Sequence, residues 1–212
     1  MELLKRGYWQ YQQWIEKLSN LNGLPALLLR LYLAPVLLQA GWNKYQHFSD
    51  TVDWFGNTEW GLGLPLPGLL ASLAIAAELI GGVMLLVGFL TRLITIPLMV
   101  TMLVAIFSVH WPNGWLAIAD ASSWLADGTI LTNANIQTAP EKLAAAKTIL
   151  QEHGNYDWLT SSGNLVILNN GIEFAATYFV MLFVLFFSGG GRFVSLDYWF
   201  SRQMPQSSVT AK

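Results

Sequence analysis

Residues 67–89 read PGLLASLAIAAELIGGVMLLVGF, an apolar run broken by one charge, Glu78. At 1.5 Å per residue, roughly 20 such residues in a helix cross the ~30 Å hydrocarbon core of a bilayer. This stretch therefore reads as a membrane span. Three others join it: about 24–42 (LPALLLRLYLAPVLLQAGW), about 91–110 (TRLITIPLMVTMLVAIFSVH) and about 171–188 (GIEFAATYFVMLFVLFFS). Pro35 and Pro97 fall inside spans, where neighbouring helices re-satisfy the backbone. Almost nothing separates the second span from the third, which predicts a tight antiparallel hairpin. The expected fold is all-α: an integral membrane four-helix bundle, one domain over residues 1–212.

Composition agrees. Of 212 residues, 54% are hydrophobic and only 11% charged, with a mean hydropathy of +0.43. A soluble domain carries about 25% charged residues. The net charge of −2 comes with no basic cluster, so nucleic acid is not an expected partner; the lipid bilayer is. The absence of cysteine excludes disulfides, thiolate nucleophiles, iron–sulfur clusters and CxxC chemistry. Residues 1–20 lack an uninterrupted apolar core, so no cleavable signal peptide is expected there.

Basic residues set the expected orientation. Lys5, Arg6, Lys17, Arg30, Arg92, Arg192, Arg202 and Lys212 fall on one side of the spans, and Lys44, Lys142 and Lys147 on the other. The positive-inside rule then puts both termini in the cytoplasm of a bacterial inner membrane. Trp42, Trp54, Trp60, Trp111, Trp115, Trp124 and Trp158 all fall outside, more than an interfacial belt needs, which suggests a folded external cap. In residues 3–21, Leu4, Tyr8, Tyr11, Ile15 and Leu18 share helical spacing, with Lys5, Arg6 and Lys17 on other faces. That pattern predicts an amphipathic helix on the cytoplasmic surface. The periplasmic insertion, 111–170, should hold a helix: Thr138 and Glu141 form a capping box, Pro140 sits in the first turn and Gly154 ends it.

Polar groups on the spans are the site candidates. Arg30, Ala34, Leu37, Gly41 and Lys44 trace one stripe on the first span, and Ala71, Ala74, Glu78, Gly82 and Leu85 another on the second. Charges at membrane depth face the bundle interior, so a buried Arg30–Glu78 ion pair is expected. Arg92 and His110 lie five turns apart on one face of the third span. Arg92 is a weak cofactor-binding candidate, with snorkelling to the surface as the simpler role. Lys44, His110 and Glu173 close the outer ends of three spans, so a polar pocket there is expected, with Glu173 tuning His110 for proton transfer. The simpler alternative is an interfacial, hydrogen-bonded histidine.

The stretches RLYLAPVLLQAGWNKYQHF, WFGNTEWGLGLPLPGLLASLAIAAELIGGVMLLVGFLTRL, HWPNGW, IEF and GGGRFVSLD together resemble the DoxX family. The likeness covers roughly residues 28–114 and 171–198, and the external segment 115–168 is longer than in typical members. The resemblance implies a four-helix membrane protein. The family takes its name from a subunit similar to part of an archaeal thiosulfate:quinone oxidoreductase; other members occur in thiol-redox complexes or beside genes for secreted metal-binding peptides. Without cysteine, a thiol-based role is not expected here. The preferred function is a quinone-linked subunit of a membrane oxidoreductase assembly, with electrons from a protein partner. The alternative is a non-catalytic accessory, assembly or anchor protein, or a homo-oligomer, with a weaker link to copper through Met84, Met99, Met102 and Met181. No haem site and no resident metal site is read from the residues.

Overall fold

The computed structural model describes residues 1–19, 21, 23–126 and 133–203. Lys212, counted above among the basic residues, lies outside them. The described residues are helical, without a strand; the single β-bridge joins Ile118 to Leu168. The helices are α1 Glu2–Ser19, α2 Gly23–Gln46, α3 Phe48–Gly56, α4 Pro67–Val87, α5 Thr91–Val104, α6 Ala134–His153, α7 Tyr156–Thr160, α8 Glu173–Ser188 and α9 Leu196–Gln203. Packing divides the chain into two compact units: Met1–Thr101 with Val180–Lys212, and Met102–Phe179.

Among the described residues, three helices are long and apolar enough to cross a membrane: Gly23–Gln46, Pro67–Val87 and Thr91–Asn113. The third is α5 with a π-helical continuation, Ala105–His110, and a final 3-10 turn, Trp111–Asn113. Pro112 cannot extend the α-helical ladder, and the tighter turn closes the helix there. Helix α8 is equally apolar but has 16 residues, about 24 Å at 1.5 Å per residue.

In the first unit, α2 packs along α4. Close approach is possible because glycine occupies the contact. A Cβ at Gly41 would lie 2.9 Å from Cβ of Glu78, and one at Gly82 would lie 2.7 Å from Cγ of Leu38. These contacts fix an antiparallel register in which Gly41 faces Glu78 and Leu38 faces Gly82. Leu33, Ala34, Leu37, Ala71 and Leu85 fill the seam, each with at most 1% of its surface exposed. Pro67 starts α4 in its first turn, where its missing N–H is no loss, and Gly88, with φ +68°, ends it.

In the second unit, Leu116, Ala126 and Ile136 make one small core, while Ile106, Ile172 and Ala175 make another. Helix α6 begins earlier than the capping box implied. Asn133 is the cap of α6, its side chain accepting from the Asn135 N–H at 2.9 Å. Thr138 instead donates to the Asn135 carbonyl from within the helix. Asparagine is as good a cap as threonine, and Asn133 is anchored twice more, to the Asn113 carbonyl and the Asn169 side chain. Gly154 does stop the helix, its N–H bonding the Leu150 carbonyl. Ahead of α6, hydrogen bonds from Ser122 hold the exposed Asp120 carboxyl below its ordinary range.

Candidate functional site

The antiparallel register decides the charged contacts of the first unit. Arg30 and Glu78 do not pair. Arg30, 1% exposed, donates from Nε to the Leu85 carbonyl at 2.6 Å and from Nη2 to that of Leu86 at 2.9 Å. Its Nη1 donates to the carbonyls of Gly190 and Val194. Leu85 and Glu78 are two helical turns apart, about 10.5 Å along the axis, which takes the carboxylate out of reach. The last carbonyls of a helix lack intrahelical donors and carry the negative end of its dipole, so a guanidinium fits there.

Glu78 pairs with Lys44 instead. Lys44 Nζ lies 2.8 Å from both carboxylate oxygens. The Glu78 side chain is 5% exposed and that of Lys44 29%, so the pair reaches from the α2–α4 seam toward its edge. Gly41, one turn before Lys44, leaves α2 close against α4 at Glu78 and Leu79. Both residues stand on the two stripes read from the sequence. The register between the stripes was the missing quantity, and the glycines Gly41 and Gly82 were its signal.

The tail motif after α8 completes this unit. The Asp197 carboxylate accepts from the backbone N–H groups of Leu90 at 2.6 Å and Thr91 at 2.9 Å, capping α5. Arg92 is exposed and donates to the Phe187 carbonyl at 3.0 Å. Neither role of the tail was anticipated from single residues, although GGGRFVSLD stood out as a motif.

His110 and Glu173 lie in the second unit and form no ion pair among the described residues. His110 Nδ1 is 2.9 Å from the Asn170 carbonyl. That oxygen only accepts, so in the neutral ring Nδ1 carries the proton and Nε2 keeps the lone pair. Asn170 adopts φ +59°, a left-handed conformation that asparagine tolerates, and its carbonyl also accepts from Asn113. Glu173 is committed elsewhere: its Oε2 accepts from the Ala117 N–H at 2.9 Å. Lys44 belongs to the first unit, with Glu78. The expected trio of Lys44, His110 and Glu173 is thus resolved into a lysine–glutamate pair in one unit and an oriented imidazole in the other.

Residues 26–111, which contain most of α2, all of α3 and α4, the Lys44–Glu78 pair and Arg30, match the model of the DoxX family. Over that stretch the chain is similar to a DoxX domain. A Bacillus subtilis (strain 168) protein named "Putative oxidoreductase CatD" is 32% identical over 83 residues, 39% of this chain. The match spans 58% of that protein's length. No solved structure matches the chain. The DoxX match ends at Trp111, so most of the second unit lies beyond it.

Proposed function

We propose that this DoxX-domain protein is a quinone-linked component of a bacterial inner-membrane oxidoreductase assembly, in which Lys44 and Glu78 handle protons. The observation that carries the proposal is a carboxylate buried in the middle of an apolar helix and balanced by one lysine. Ionisable groups at membrane depth are costly and concentrate on proton and ligand pathways. Reduction of a quinone takes up two electrons and two protons. A partner protein would deliver the electrons. Lys44 Nζ would donate a hydrogen bond to a quinone carbonyl, and Glu78, released from the lysine, would take or give the proton. The name borne by the Bacillus subtilis relative is in keeping with redox work. His110, with Nε2 left as an acceptor, is the second candidate proton carrier. In this proposal α8 makes the fourth crossing and both termini are cytoplasmic.

A photoreactive azidoquinone tests the proposal in native membranes. It should label the wild-type chain, and an excess of unmodified quinone should suppress the label. Glu78→Gln keeps the shape but not the charge, and should lose at least about tenfold of the competed label at equal protein abundance. Labelling that excess quinone leaves untouched, or that Glu78→Gln leaves at full strength, would sink the proposal.

A second reading, a membrane anchor for a partner protein, is favoured by α1. Tyr8, Trp9, Tyr11 and Trp14 are all exposed along it. Such a helix suits a membrane surface or a partner groove. Loss of a co-purifying protein on deletion of residues 1–19, with quinone labelling absent throughout, would select that reading.

A further inference from the structure

A cleft of about 780 Å³ opens in the first unit, where the start of α5 meets the loop between α8 and α9. Arg92, Arg192, Leu93 and the Gly189–Gly191 loop line it. Arg92 commits a single N–H to the Phe187 carbonyl, and the guanidinium has four more. Arg192 lies 4.8 Å over the Phe193 ring, which holds the charge at the cleft without neutralising it. The acid in the wall, Asp197, already accepts from two backbone N–H groups with its two oxygens. Two guanidinium groups against one committed carboxylate leave the cleft cationic.

The loop adds backbone donors. Gly189 and Gly191 take φ of +75° and +93°, conformations that side chains resist. Among the described residues no backbone carbonyl accepts from the N–H of Gly190 or Gly191. Successive amides in such turns form concavities that hold anions. From the cleft an exposed apolar stripe runs along α5 through Leu93, Ile96 and Val100, spaced three and four residues apart. A free anion has no use for that stripe, whereas an acyl chain does.

We propose that this cleft binds the phosphate of an anionic phospholipid, with Arg92 and Arg192 on the phosphate oxygens and an acyl chain along Leu93, Ile96 and Val100. The test uses the full chain purified in mild detergent. Native mass spectrometry reads binding of dioleoylphosphatidylglycerol, dioleoylphosphatidylcholine and inorganic phosphate. Phosphatidylglycerol should bind preferentially, and the double variant Arg92→Gln, Arg192→Gln should lose about tenfold or more of that affinity. The control Arg6→Gln should keep it. Should the double variant fail to fold, wild-type binding must still weaken as salt rises. Binding indifferent to salt, to both arginines or to headgroup charge would overturn the site. Inorganic phosphate bound as tightly as the lipid, through the same arginines, would keep the phosphate site and overturn its assignment to lipid.

Discussion

Arg30 answers helix-end carbonyls, and its planar fork is the reason. Nε and Nη2 meet Leu85 and Leu86 while Nη1 meets Gly190 and Val194, so one side chain ties α4 to the tail loop. A lysine would offer a point charge without that fork. Arg30→Met should therefore lower the thermal unfolding midpoint in detergent substantially, since each buried acceptor left without its donor costs about 1–3 kcal/mol. Arg30→Lys should recover part of the loss. A midpoint unchanged by Arg30→Met would show that the clasp contributes nothing. Lys44 and Glu78 follow a different rule, because each is the other's counter-charge. At this scale the residues of interest were visible as charges in apolar runs. Their partners were not, because those depend on the register in which α2 packs against α4.

Among the elements, the α2–α4 pair is the one on which the buried charges depend. Its spacing is set at Gly41 and Gly82. Gly82→Val would place atoms in the space of Leu38 and force the helices apart, at about 1–3 kcal/mol for overpacking. It should lower the unfolding midpoint. Gly68 is the contrasting case: an added Cβ there meets nothing within 4 Å. Gly68→Ala should be neutral or stabilise by up to about 1 kcal/mol, since alanine loses less entropy in a helix. Equal midpoints for the two variants would refute glycine-limited packing. The π-helical stretch before His110 had no warning in the sequence. Its i to i+5 bonding widens the helix over Ala105–His110, and apolar periodicity is silent about that. The early start of α6 has a plainer cause. Thr138 and Asn133 are both sound caps, and Asn133 won through its contacts with Asn113 and Asn169.

For the whole molecule, the division of basic residues leads to the proposed topology, with both termini in the cytoplasm. A reporter fused after the last residue should give a cytoplasmic signal, and one inserted within residues 141–150 of α6 a periplasmic one. Signals from the same side would refute it and remove α8 as a crossing. The sequence alone determined that the chain is helical and built for lipid, because apolar runs of membrane length and scarce charge follow from composition and order, with no contact needed. It also determined which side chains are costly at depth: Arg30 and Glu78 are conspicuous wherever the helices pack. Only the tertiary structure decided that Glu78 meets Lys44, that Arg30 closes the end of α4, and that Asp197 caps α5 from more than 100 residues away. Each of these is a contact between segments distant in the chain. The register of the glycine seam and the path of the tail loop set them, and neither is encoded in the periodicity of a single helix.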